Sequence, residues 1–409
     1  MTSPIGFFRR LTLRPQGITI ILAGFLPIFA IVSMFPAVPA LIDHFANDPT
    51  ARWKVPMIVS APGLSVALLA PLAGILVDRF GRRKLALFAT ALYGFAGVAP
   101  LLLTSLNQIF VSRLLVGVSE AIIITITNTL IGDYWRDKGR RDWLFLQGAI
   151  GPFCSTGMML VVGSLVGTRW NAVFLVYLIA FPILLAMVAF IFEPARGGET
   201  ATARTDDPVA PTAFPWASAA LIAGVTLASS IVYYVFIING GLLWREVGVT
   251  SAEAISRISA LPTLFIIAGS FLFRLLGRQP NEVQVGMPLL VLGLGLGCMG
   301  LAPDWRVMTL GLIIQQTGAG MMVQSLIAWA SGKLPFQHRG RGMGIWSSAF
   351  FLGQFASPAV VHQMNLLAGT MQGAFVAMGL MSIVAACVAA IHLLTRRSTP
   401  TFLQSEQSA

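Results

Sequence analysis

The hydrophobic positions of this chain fall into long, nearly unbroken runs, each closed by a short charged or Pro/Gly-bearing segment. Runs of about 20 apolar residues are what a helix needs to cross a hydrocarbon core of roughly 30 Å. Six are read in the first half, at 18–41, 55–77, 85–103, 109–131, 143–166 and 172–192. Six more follow at 216–243, 254–276, 285–301, 307–330, 343–363 and 368–394. Membrane-spanning strands would instead alternate apolar and polar positions over about ten residues. The pattern therefore predicts an all-α membrane protein with 12 transmembrane helices.

Between the two sets of runs the hydropathy collapses into a stretch rich in Pro, Gly, Thr and charge, which cannot bury a core. This divides the chain into a six-helix bundle at 1–192, a cytoplasmic linker at 193–215, a second six-helix bundle at 216–395 and a cytoplasmic tail at 396–409. Six runs before the linker and six after it suit a duplicated unit. Weak internal similarity points the same way: Gly81 pairs with Gly277 at an offset of 196, and Gly117 with Gly318 at an offset of 201. Two bundles related by a pseudo-twofold axis are expected.

Composition agrees, since 409 residues with 56% hydrophobic and 11% charged content cannot coat a water-soluble globule. The net charge of +11 would suit a nucleic acid only if it were gathered on one face, and it is spread among the loops. No nucleic-acid partner is expected. With the N-terminus placed inside, roughly 20 of the 27 Lys and Arg residues fall on the inner side and about six outside. Both termini are then cytoplasmic, and the short loops suit a multi-pass protein of the bacterial inner (plasma) membrane. The first run is longer than a signal-peptide core and lacks a small-residue cleavage site, so it is expected to remain as a span.

Cys154, Cys298 and Cys387 lie in apolar runs and the four histidines are scattered, giving neither a disulfide framework nor a metal site. There is no nucleophile with a base and no nucleotide loop, so an enzyme or an ATP-driven pump is not expected. The expected partners are the bilayer and a small-molecule substrate, met by a monomer without a cofactor, with protons as the coupling ion.

Three motifs carry chemistry. The first is the loop Gly74-Ile-Leu-Val-Asp78-Arg79-Phe-Gly81-Arg82-Arg83-Lys84, in which Gly74 permits a close helix approach and Gly81 a tight reversal at positive φ. The second is Arg113-x-x-x-Gly117-x-x-Glu120, which sets two charges two turns apart on one helix face inside the hydrocarbon. One reading pairs them to hold the bundle together; the other makes Glu120 a proton site balanced between desolvation and the arginine. The third is Gly148-Ala-Ile-Gly151-Pro152-Phe-Cys-Ser155-Thr156-Gly157, whose small residues and proline shape a pliable helix.

Over nearly its whole length the chain resembles the major facilitator superfamily, most specifically in the Gly74–Lys84 loop. That resemblance implies a latch on the inner side, made by Gly74, Asp78, Arg79, Gly81, Arg82 and Arg83, which closes between the halves when the transporter faces outward. Gly148, Gly151, Pro152 and Gly157 resemble the signature of its antiporter branch, with Ser155 and Thr156 standing where that signature ends in glycines. The 340–358 stretch resembles drug-efflux members. The family fold implies a central cavity lined by the first, fourth, seventh and tenth helices, with Ser33, Met34, Asn128, Tyr233, Tyr234, Asn239, Gln315, Gln316 and Gln324 as candidate lining residues.

The function expected is secondary active transport by alternating access, with proton-coupled export of a small amphipathic or aromatic compound. Uptake of an organic anion by proton symport is the alternative, and a membrane receptor a remote one.

Overall fold

The computed structural model describes residues 14–135, 137–194, 213–276 and 279–398. The linker and tail assignments fall mostly outside them, as do Gly277, Arg278 and the side chain of Asp78. The first bundle comprises α1 (Pro15–His44), α2 (Ala51–Phe80), α3 (Arg82–Val98), α4 (Leu106–Tyr134), α5 (Asp137–Val166) and α6 (Ala172–Phe190). The second comprises α7 (Trp216–Glu246), α8 (Ala252–Leu276), α9 (Asn281–Gly300), α10 (Trp305–Lys333), α11 (Arg339–Ala368) and α12 (Met371–Ser398).

Ten of these helices are long and apolar enough to cross a membrane by length and composition. The two outside that set, α10 and α11, are 29 and 30 residues long, but Gln315, Gln316, Gln324 and Gln354 dilute their hydropathy. At 1.5 Å per residue they still span well over 30 Å. Of these glutamines, Gln315, Gln316 and Gln354 are buried against neighbouring helices, whereas Gln324 is exposed.

Local chemistry sets the breaks. Gly81 takes φ +85° between α2 and α3, and Gly369 takes φ +76° after α11, the left-handed backbone that glycine adopts without strain. Asp304 caps α10 by accepting from the Arg306 and Val307 amides at 2.8 and 3.0 Å, and Ser251 caps α8 through the Ala254 amide. Pro36 lies in a 3-10 turn, Phe35–Ala37, that kinks α1, and α8 is interrupted just after Pro262.

The large apolar side chains that remain exposed, among them Leu68, Ile75, Phe95, Leu185, Leu310, Leu380 and Ile391, are spread over many helices. Such a surface suits lipid and not water.

The halves meet along α2 and α11 and along α5 and α8. Gly63 lies against Phe351 and Gln354, and Gly163 lies so close to Ser256 that any side chain there would overlap it. Beyond these, the tip of α1 packs on α7: the Phe35 and Phe236 rings are 5.0 Å apart, and Gly241 lies against the Phe35 carbonyl and Pro39. Asp43 and Arg245 then close this end with a bidentate pair at 2.8 and 2.5 Å.

The opposite end carries the Arg79–Lys84 and Lys333–Arg341 segments and is called the basic face below. Here Gly74, Gly148, Gly340 and Gly344 have open space where a side chain would stand. The contacts described between the halves lie toward the Asp43–Arg245 end.

Candidate functional site

Arg113 and Glu120 both lie on α4 and are 1% and 4% exposed. They do not pair. Arg113 donates through Nη2 to the Gly97 and Ala96 carbonyls, at 3.1 and 3.4 Å, in the last turn of α3. Those carbonyls have no partner within their own helix and sit at its negative end, so a cation is held there favourably. The guanidinium also lies over the Tyr177 and Phe174 rings of α6, at 4.5 and 5.2 Å. Arg113 thus ties α4 to α3 and α6 within the first bundle.

Glu120 is left without that partner. Its Oε1 is buried with no hydrogen bond among the described residues. Tyr93 and Tyr177 lie within electrostatic range of it, and so does Tyr234 of α7 in the other half. The two tyrosines of its own half are spoken for: Tyr93 donates to the Leu26 carbonyl at 2.6 Å and Tyr177 to the Ala30 carbonyl at 3.4 Å. Of the two sequence readings, mutual pairing is therefore not what the geometry supports. Glu120 is a buried carboxyl without an ion pair, in electrostatic range of Arg113 on its own helix and of Tyr234 in the other half.

On the far side of the interface Tyr234 belongs to an aromatic cluster that the sequence reading did not assemble. The Tyr233 and Tyr234 rings are 4.9 Å apart, each lies within 6 Å of Phe350, and Trp346 stacks on Phe350 at 5.4 Å. The Trp346 indole N–H is buried with no hydrogen-bond partner among the described residues. The available signal was a single turn of α11, with Trp346 and Phe350 four residues apart on one face.

The other proposed cavity residues separate into groups. Ser33, Met34 and Gln315 are packed in the bundle interior, at 0%, 1% and 0% exposure, and line no open space. Ser33 bonds to the Ala30 carbonyl of its own turn, which satisfies its hydroxyl locally. Gln316 is likewise buried. Asn239 lines a different cavity, at the face away from the basic loops. Asn128 and Gln324 are exposed in mid-helix, and Gln324 donates to Ser270 at 3.0 Å.

The contacts described for the basic loop lie on the side of the first half. Gly81 brings the Arg82 and Arg83 amides onto the Glu193 carboxylate at 2.7 and 2.8 Å, Arg82 pairs with Asp133 at 3.3 Å, and Arg83 donates to the Val188 carbonyl. All these partners belong to the first half. Gly74, expected at a close helix approach, has no neighbour within reach of a side chain added there. Arg79 rests over the neighbouring Phe80 ring. Of the glycines in the third motif Gly151 has Phe25 of α1 beside it while Gly148 and Gly157 have open space, and Thr156 donates to the Ala260 carbonyl of α8 at 3.4 Å.

The pairing of Asp43 with Arg245 was also missed. Its signal lay in the repeat: the two residues sit at matching ends of α1 and α7, the first helix of each half, and carry opposite charges.

Comparison with known proteins now adds the family. The model of the Major Facilitator Superfamily matches residues 20–282 and again 222–408. The chain belongs to that superfamily of membrane transporters. Among curated relatives, "Efflux pump dotC" of Dothistroma septosporum is 28% identical over 156 residues, 37% of this chain and 26% of that protein. "Multidrug resistance protein 1" of Bacillus subtilis is 25% identical over 187 residues, 44% of this chain and 46% of that protein. The aligned part is thus less than half the length of either relative. Among solved structures, a D-xylose-proton symporter superposes with a TM-score of 0.74 at 15% identity, covering 92% of this chain and 96% of that one. The human organic anion transporter MFSD10 does so at 0.65 and 19% identity, covering 92% and 99%. At these identities the structural likeness speaks for the fold.

Proposed function

We propose that this protein is a proton-coupled exporter of a small amphipathic or aromatic compound, working by alternating access in a bacterial inner membrane. The basic face and both termini are cytoplasmic in this reading, so the arrangement described above is the inward-facing state.

One observation carries the proposal: Glu120 is a buried carboxyl with an unpartnered oxygen, set at the interface between the halves. A charge buried without a partner is costly. Rocking of the halves changes what surrounds it, so loading and release of a proton become coupled to which face is open. The aromatic cluster of Tyr233, Tyr234, Trp346 and Phe350 supplies flat apolar surface with one free indole donor, which suits an aromatic substrate. The relatives named as efflux and multidrug proteins favour export.

The basic loop takes its place in the same cycle. With the cytoplasmic face open, Arg82 and Arg83 are held by Asp133, Val188 and Glu193 of their own half; in the outward-facing state the loop reaches the second half and latches it. The rival reading, uptake of an organic anion held by Arg113, draws on two guanidinium nitrogens, Nε and Nη1, that are buried without a hydrogen bond among the described residues while Nη2 is held by the α3 carbonyls.

The test is flux in proteoliposomes under an imposed pH gradient. Glu120→Gln keeps the shape and removes the titrating group. It should abolish uphill transport while downhill exchange of the same substrate continues. Undiminished gradient-driven flux in this variant removes Glu120 from coupling, and substrate moving with the proton rather than against it replaces export by symport.

A further inference from the structure

At the face away from the basic loops, the pair that joins the halves uses only part of the charge gathered there. Asp43, Arg52 and Arg245 line one cavity together with Glu246 and His362. Asp43 lies in the last turn of α1 and Arg52 in the first turn of α2, so both belong to the first half. The turn between them is tight: the Ala46 amide donates to the Asp43 carbonyl at 3.3 Å, and the Ala51 amide to the Asp48 carbonyl at 2.9 Å.

The four charged groups of this cavity are unequally engaged. Asp43 accepts from both terminal nitrogens of Arg245, across the halves. Both Glu246 oxygens accept from the first amides of α12, Met371 and Gln372, at 2.7 Å each, which keeps that carboxylate on its own half. Arg52 is exposed and has no ion pair or hydrogen bond among the described residues. The Asp43 side chain is 62% exposed, so it can turn without leaving a packed core.

We propose that Asp43 is handed from Arg245 to Arg52 when this face opens, so that Arg245 holds the closed state and Arg52 stabilises the open one. Parting of the halves carries Arg245 away and leaves the carboxylate without its paired N–H donors. Arg52 travels with Asp43 and is not lost in the movement. A half-exposed ion pair shifts an equilibrium by only about threefold to fivefold, enough to set the balance between two states and too little to freeze either. The handover rests on alternating access alone and is independent of Glu120, the substrate and the direction of transport.

Double electron–electron resonance in nanodiscs tests it, with spin labels on Asn47→Cys and Thr250→Cys, one on an exposed loop of each half at this face. The native cysteines are removed as Cys154→Ala, Cys298→Ala and Cys387→Ala. Arg245→Gln should raise the long-distance, open population about threefold to fivefold. Arg52→Gln added to Arg245→Gln should lower it again by a similar factor, although both changes remove a positive charge from the same rim. Combined with Asp43→Asn, Arg52→Gln should have no effect. The proposal falls if Arg245→Gln leaves the open population unchanged, or if Arg52→Gln leaves it unchanged or raises it, as pairing of Arg52 with Glu246 across the halves would require. An effect of Arg52→Gln that persists with Asp43→Asn would overturn it as well.

Discussion

Helices α4 and α10 hold the same place in the two bundles and are both 29 residues long, yet they bury different chemistry. Gly117 sets α4 against Pro62 of α2, and Gly320 sets α10 against Ile266 of α8. Those glycines are 203 positions apart, as are Gly97 and Gly300, which face the sixth helix of their respective halves. At that spacing Arg113 corresponds to Gln316 and Glu120 to Val323. Packing has been kept in both copies, whereas charge resides in one. A duplicated fold can thus assign coupling to one bundle while the other supplies a neutral, aromatic wall, because close helix approach is needed twice and a titrating carboxyl only once.

The shared part of this comparison should be the harder to alter. A side chain at Gly117 would overlap the Pro62 backbone, and one at Gly320 the Ile266 carbonyl. Backbone cannot step aside as a rotamer does. Gly117→Leu and Gly320→Leu are each expected to destabilise their bundle by about 3 kcal/mol, at the upper end for overpacking, and to remove monodisperse protein from detergent extracts. Size-exclusion chromatography reads this directly. If only one of the two variants fails, the bundles are not equivalent at this contact.

The charged part should separate into a structural and a coupling residue. Arg113→Gln gives up the contacts to the Gly97 and Ala96 carbonyls and the stacking on Tyr177 and Phe174. A loss of about 2 kcal/mol is expected, typical for a hydrogen-bonded charge, and appears as a lower melting temperature. Glu120→Gln touches no recorded hydrogen bond and should leave melting nearly unchanged while it abolishes coupling. Equal melting losses in the two variants would mean that Arg113 and Glu120 act as one structural pair after all.

Much of the fold was legible because lipid imposes a coarse rule, and continuous apolar length is hard to mistake. The expected runs overlap all twelve helices, and Gly81 adopts the positive φ that its loop motif required. The repeat was readable but its register was not. Gly318 was matched to Gly117, but it packs on Leu292 of α9, and the residue that meets the eighth helix is Gly320. In a helix with glycine at 311, 318 and 320, similarity alone does not say which face each one serves. The burial of polar residues was legible only where burying a charge is itself informative, as for Arg113 and Glu120. Uncharged polar residues such as Ser33 and Gln315 carry no such signal, since whether they face a cavity or the packed interior depends on helix rotation. The charges at the ends of α1 and α7 were not paired in the sequence, since hydropathy alone does not bring 43 and 245 together.

Gln315 offers the finest test of the neutral wall. It is fully buried, and neither atom of its carboxamide has a hydrogen bond among the described residues. A primary amide removed from water without partners costs free energy that a thioether of similar length does not. Gln315→Met fills the same space with a flexible apolar chain, so it should raise the melting temperature by the equivalent of about 1 kcal/mol. Gln316, its neighbour at the position that corresponds to Arg113, provides the contrast, since it keeps 5% of its surface exposed and its carboxamide is not among the fully sealed, unpartnered groups. Gln316→Met should therefore show no such gain. A fall in melting temperature for Gln315→Met would mean that its amide gains a partner within the membrane, and the neutral half would then hold a polar network at the depth where the charged half holds Arg113.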